Sequence, residues 1–175
     1  MAGIMDLIRK IFSDENYAVE QSVAYLLSRA RTRLARAIDL ELLPHEITHA
    51  QGSILLMLAS GNYTSAAELA RELYIDSASM TRMVDRLEKR GLLKRAPRTD
   101  DRRVIKLCLT VEGQRLGRLL PKLYTGVLDR SFAAFSAKEI DQLRHLLHKL
   151  VDDEAVFKAG RTASADASSN KSDHH

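Results

Sequence analysis

Residues 64–92, TSAAELARELYIDSASMTRMVDRLEKRGL, carry two short helical patterns separated by a three- or four-residue break. In the first, opened by Thr64, Ala67, Leu69, Ala70 and Leu73 recur at helical spacing. Tyr74, Ile75 and Asp76 form the connection. In the second, Asp76 is placed to cap the amino end and Gly91 to stop the carboxyl end. A carboxylate can accept the unsatisfied N–H groups of a first turn, and glycine tolerates the left-handed backbone that closes a last one. Met80, Met83, Val84 and Leu87 share one face of this helix, while Ala78, Ser79, Arg82, Asp85 and Arg86 share the opposite one. Two helices joined this tightly form a helix-turn-helix pattern. An apolar face and a wet face would suit any surface helix, but the order of residues on the wet face is more specific. The small side chains Ser77, Ser79 and Thr81 let the helix approach base edges, and Arg82 and Arg86 can reach guanine acceptors or phosphates.

Charge outside this stretch points the same way. The chain of 175 residues has a net charge of +4. Between Asp76 and Lys106 ten cationic residues stand against five acidic ones, so the whole excess lies in one segment and the remainder is slightly negative. Two short strands follow Gly91, at Leu92 to Ala96 and Val104 to Leu109, the second with Val104, Lys106 and Cys108 alternating against Ile105, Leu107 and Leu109. Between them Pro97-Arg98-Thr99-Asp100-Asp101-Arg102-Arg103 forms a polar hairpin tip. An arginine at such a tip, directly after a helix-turn-helix, can enter a narrow and negative minor groove. The aspartates would repel phosphate, and their physical use is to orient a guanidinium by paired hydrogen bonds.

These residues resemble the MarR family of bacterial winged-helix regulators. The likeness is carried by Leu69-Ala70, by Thr81-Arg82-Met83-Val84-Asp85-Arg86-Leu87-Glu88-Lys89-Arg90-Gly91-Leu92, and by Asp101-x-Arg103-x5-Leu109-Thr110 followed by Glu112-Gly113. It covers about Val23 to Leu150. It implies a homodimer whose two lobes bind a pseudo-palindromic double-stranded DNA operator, with Arg103 in the minor groove and Asp101 supporting it. It also implies, for many members, a repressor that releases DNA when a small aromatic anion binds between the lobe and the dimer helices. Peroxide-sensing members carry a reactive cysteine near the amino end, whereas the single cysteine here, Cys108, falls in a wing strand.

The flanks are read from their own periodicity. Ile4, Leu7, Ile8, Ile11 and Phe12 mark a short amphipathic helix, and a second helix is expected from Glu15 to Leu42, ended by Pro44. Beyond Thr110, a helix from Val111 to Phe135 carries Leu116, Leu119, Leu120, Leu123 and Leu128. A last one, capped by Ser136 with Glu139, carries Ile140, Leu143, Leu146, Leu147, Leu150 and Val151. That is more apolar surface than one small winged helix buries, so the terminal helices are expected to pair with a second copy. From Ala159 onward the chain is Ser/Ala-rich and is read as a disordered tail. The expected fold is α+β and mostly α, a winged helix-turn-helix with long terminal helices as dimerisation region. Its parts are dimerisation helices over 1–45, the DNA-binding domain over 46–110, dimerisation helices over 111–158 and the tail over 159–175.

His45-Glu46-Ile47-Thr48-His49 matches the HExxH pattern of zinc metalloproteases, which requires both histidines one turn apart on one helical face. Thr48 and Gln51 form a capping box, which starts the helix at Thr48 and leaves His45 in the loop before it. A zinc protease is therefore the weaker alternative, beside an architectural DNA binder without a ligand, and no catalytic residue, metal or cofactor is assigned. The histidines have another use. A pocket walled by the apolar stripe from Val23 to Ile38, with His45 and His49 at its rim and Arg31 in reach, suits an aromatic carboxylate or phenol. With 45% hydrophobic and 29% charged residues the composition is that of a soluble globular protein. No apolar run reaches the roughly 20 residues that span a bilayer. Asp6 and Arg9 interrupt the start where a signal peptide is apolar, so no membrane partner and a cytoplasmic location are expected.

Overall fold

The computed structural model describes residues 18–97 and 105–152. The amphipathic pattern at Ile4–Phe12, the hairpin tip and the tail read from the sequence lie outside them. The chain divides into two compact units, residues 1–131 and 132–175.

In the first unit a 3-10 turn at Val19–Gln21 precedes α1, Val23–Leu42. The helix starts later than its sequence periodicity indicates. Ser22 takes an extended backbone and its hydroxyl accepts the Tyr25 N–H, so the segment before it cannot continue the helical ladder. Pro44 then lies in a 3-10 turn, Leu43–His45, and Glu46 turns the chain with left-handed backbone at φ 51°. Helix α2, His49–Ser60, opens on the expected capping box of Thr48 and Gln51 and closes on Gly61, at φ 79°. Helix α3, Ala66–Glu72, is capped by Ser65 rather than opened by Thr64. The Glu68 carboxylate reaches back to accept both the Ser65 and Thr64 N–H groups, which places Thr64 just outside the helix.

Helix α4, Ser77–Lys89, starts at Asp76, whose Oδ1 accepts the Ser79 N–H at 2.8 Å, and is followed by Gly91 at φ 68°. An antiparallel hairpin of β1, Leu93–Pro97, and β2, Ile105–Leu109, pairs Leu93 with Leu109 and Pro97 with Ile105. The first strand begins one residue later than expected. Leu92 is spent on the junction: its N–H returns to the Leu87 carbonyl, and its own carbonyl accepts from Thr110. Helix α5, Val111–Ser131, ends four residues short of the expected Phe135, where turn residues lead out of the unit.

One apolar core joins these elements. Ile38 and Leu42 of α1 are buried in it with Ile54 and Leu55 of α2, Leu69 of α3, and Met80, Val84 and Leu87 of α4. Leu93, Leu107, Leu116 and Leu120 complete it, each such side chain contributing about 1.5–3 kcal/mol when withdrawn from water. Gly113 lets α5 press against the hairpin root, since a Cβ there would meet the Leu92 carbonyl oxygen at 1.8 Å.

The second unit contains α6, Ala137–Val151, opened by the expected Ser136–Glu139 capping box. Its Leu146, Leu147, Leu150 and Val151 are exposed.

Candidate nucleic-acid interface

Helix α4 divides as its sequence requires. Met80, Val84 and Leu87 are fully buried, which fixes the opposite side outward, and there Ser77, Ala78, Thr81, Arg82 and Arg86 are all exposed. Ser79, half-buried, accepts a hydrogen bond from Arg82 Nη2 at 2.8 Å, so the Arg82 guanidinium is held along the helix surface. Thr81 Oγ1 donates to the Ser77 carbonyl at 2.8 Å, leaving its lone pairs and methyl group outward. Arg86 is exposed and has no partner among the described residues. At the amino end Asp76 has its carboxyl held below the usual carboxylate range, first by the backbone hydrogen bond from Ser79 and further by its side-chain bond and Arg82.

Two arginines that the sequence reading left without a role tie this helix to its surroundings. Arg95 on β1 bonds both Asp85, at 2.6 Å, and Glu88, and its own N–H donates to Glu88 Oε1 at 3.0 Å. The hairpin root is thus stapled to the outer flank of α4, and two carboxylates that would repel phosphate are neutralised on the spot. The signal was available in the sequence as i, i+3 acids on α4 preceding a strand cation, but choosing Arg95 over Lys94 requires knowing which strand face turns to the helix. Arg90, capping the other end of α4, donates to the His45 and Glu46 carbonyls and pairs with the Glu46 carboxylate at 3.1 Å. The turn before α2 and the end of α4 are thereby joined through one side chain.

The wing is fixed at its base in three ways. Leu107 N–H donates to the Thr64 carbonyl at 2.7 Å, the Thr110 hydroxyl donates to the Gly91 carbonyl at 2.6 Å, and the same hydroxyl accepts from the Gly113 N–H at 3.1 Å as the cap of α5. Arg98, Asp101, Arg102 and Arg103, expected at its tip, lie outside the described residues.

The histidine region assembles differently from its sequence reading. His49 begins α2, its N–H bonded to Asp39 Oδ1 at 2.5 Å and its ring 5.8 Å from that of Tyr124 on α5. The Tyr124 hydroxyl donates to the His49 carbonyl at 3.2 Å, in space kept by Gly52, where a Cβ would lie 2.7 Å from that oxygen. Burial lowers the His49 pKa, with Arg31 adding to the effect and Asp39 opposing it. Burial likewise raises that of Tyr124. Asp39, His49 and Tyr124 therefore form one half-buried polar group, with the exposed Arg31 close enough for its charge to act on His49. Asp39 and Tyr124 were not legible, because they come from the far ends of other helices. His45 stands in the preceding turn, where its described contact is its carbonyl to Arg90. With Glu46 bonded to Arg90 and His45 off the helix, the HExxH letters do not build a zinc-binding face, and no cluster of three metal-ligating side chains occurs among the described residues.

Comparison with known proteins agrees with this architecture. Residues 47–105 match the model of the MarR family. The HTH-type transcriptional repressor MdtR of Bacillus subtilis (strain 168) is 31% identical over 104 residues, covering 59% of this chain and 67% of the relative. Among solved structures, the reduced form of MarR from E. coli superposes with a TM-score of 0.66 at 26% identity, covering 77% of this chain and 98% of that one. CouR from Rhodococcus jostii RHA1, bound to p-coumaroyl-CoA, gives a TM-score of 0.68 at 26% identity over 77% and 95% of the two chains.

Proposed function

The chain belongs to the MarR family of winged-helix transcriptional regulators, and on that premise we propose that it is a cytoplasmic repressor. As a homodimer it binds a pseudo-palindromic operator, and a small aromatic acid or phenol releases it. The observation that carries the DNA reading is the division of α4, whose buried face holds a small, cationic and exposed face outward beside the wing. That face suits the major groove, with Ser77, Ser79 and Thr81 permitting close approach and Arg82 and Arg86 supplying bidentate donors for guanine or phosphate. Arg98, Arg102 and Arg103 of the hairpin tip take the backbone and the adjoining minor groove, with Asp101 orienting Arg103. MdtR, named a repressor, supports the direction of regulation.

The ligand reading rests on the polar group around His49. Burial keeps its imidazole neutral at physiological pH, so it can accept a phenolic proton on one nitrogen or donate from the other, while Arg31 offers a cation for a carboxylate. His45 completes the rim. CouR, bound to p-coumaroyl-CoA, shows an aromatic acyl group accommodated by a related protein. Because Arg90 joins the turn before α2 to the end of α4, a ligand that displaces this turn also turns the recognition helix. Release requires that the ligand favour the displaced state, since equal affinity for both states shifts nothing.

Footprinting across the source genome, followed by titration of the recovered site with a panel of aromatic acids and phenols, tests the reading. Arg103→Ala and Asp101→Ala should both weaken operator binding, and tighter binding of Asp101→Ala at every salt concentration would contradict the supporting role. His49→Ala should lose the response to inducer while retaining the operator.

A further inference from the structure

A cavity of about 470 Å³ opens where the end of α2, the Gly61–Thr64 connection, β2 and the first half of α5 meet. It is separate from the polar group around His49, none of whose members line it. Its floor is apolar, made by Leu58, Leu107 and Leu109. Lys106 of β2 and Arg118 of α5 stand at its walls, and no acidic side chain lines it. Neither cation has an ion pair among the described residues, whereas Arg95, Arg115 and Arg130 are each bonded to a carboxylate. The Glu72 carboxylate lies near the Tyr63 hydroxyl of the wall, adding to the effect of burial in raising the Tyr63 pKa.

We propose that this cavity is a second effector site, taking a small aromatic anion with its ring on the leucine floor and its charge between Lys106 and Arg118. The volume lies within the range of about 300–1,000 Å³ typical of small-molecule sites, and the combination of an apolar floor with a few cations selects ring-bearing anions over inorganic ones. Because β2 forms one wall and its Leu107 N–H is bonded to the Thr64 carbonyl on another, an occupant bridges the wing to the body of the domain. The site thus acts on the wing, whereas the His49 group acts on the recognition helix.

Cys108 lines the same cavity and is the chain's single cysteine, which makes it a reporter of occupancy. The full-length protein is treated with dithiobis(nitrobenzoate), an aromatic dicarboxylate. The Cys108 thiolate attacks one sulfur of the reagent, forming a mixed disulfide and releasing one thionitrobenzoate anion that is read by absorbance. Neutral dithiodipyridine gives the reference rate. Replacing both cations, Lys106→Gln with Arg118→Gln, should slow the anionic reagent about tenfold, the loss expected for two charge-assisted contacts, and leave the neutral one nearly unchanged. In the wild-type protein, naphthoate should protect Cys108 and neutral naphthamide should not, a comparison that needs no variant. His49→Ala should leave the protection intact. Equal protection by the amide, no protection by naphthoate, or protection lost in His49→Ala would each overturn the second site, the last by assigning the ligand to the first.

Discussion

Glycine, arginine and histidine each act here through a contact that a close substitute would not make. Gly113→Ala places a methyl group on the Leu92 carbonyl oxygen, which is backbone and cannot swing away, and should destabilise the protein by about 1–3 kcal/mol or more. Gly126, on the same helix, has only the end of the Arg130 side chain within 4 Å, so Gly126→Ala should stabilise by about 0.5–1 kcal/mol. Urea unfolding of the two variants checks both signs. Arg95 and Arg86 provide the second contrast. Arg86 is exposed and has no partner among the described residues, so Arg86→Ala should weaken DNA binding and reduce the salt slope by about one phosphate. Arg95 is spent on Asp85 and Glu88, and its loss exposes two carboxylates beside the interface and loosens the hairpin root. Arg95→Ala should therefore weaken binding without the change in slope, measured by anisotropy titrations at several salt concentrations. For His49, the lowered pKa means that its contribution to stability is complete above about 6.5, the ordinary imidazole value, and declines as pH falls below it toward the folded value.

At the scale of elements, the helix starts are set by side chains that accept their own first-turn N–H groups. Thr48, Ser65 and Ser136 form reciprocal boxes, and Asp76 caps α4 alone. Thr48→Ala should cost about 1 kcal/mol. Glu68, Asp76 and Glu139 are all held below their ordinary carboxylate values, chiefly by backbone hydrogen bonds. Their stabilisation is present above the ordinary carboxylate range and is lost as pH falls through it to the lowered folded values. Thermal melting should therefore show a decline on the acid side that is shallower in Asp76→Asn, which caps without titrating. These caps are also why much of the fold was legible: Thr48, Asp76 and Ser136 each announce a helix in a few letters. Boundaries were lost where no Glu or Gln three residues on marks the cap, or where the deciding bond is distant in sequence. Ser22 cuts α1 short by capping Tyr25, and Leu92 is withdrawn from β1 by Thr110, nearly twenty residues away. The outward face of α4 followed from periodicity alone. The polar group around His49 did not, because Asp39 and Tyr124 reach it from separate helices, and no spacing in the sequence links them.

For the whole molecule, the proposed homodimer has apolar surface to draw on. Leu146, Leu147, Leu150 and Val151 of α6 and Val19, Val23 and Leu26 at the start of α1 are exposed, and a half-site reader needs a second copy to set its two recognition helices about 34 Å apart. Leu147→Glu, or Leu143→Glu beside it, should yield monomer or aggregate in sedimentation velocity, whereas a stable folded wild-type monomer at micromolar concentration would contradict the dimer. An assembled dimer presents two copies of the cationic segment between Asp76 and Lys106, which carries all of the chain's net positive charge. The most direct test of the central claim is the affinity of the full-length protein for its recovered operator as a function of salt. The account predicts that log affinity falls linearly with log salt by about 0.9 for each phosphate neutralised, steeply enough to count several contacts per half-site. An affinity that stays flat as salt is raised would contradict it.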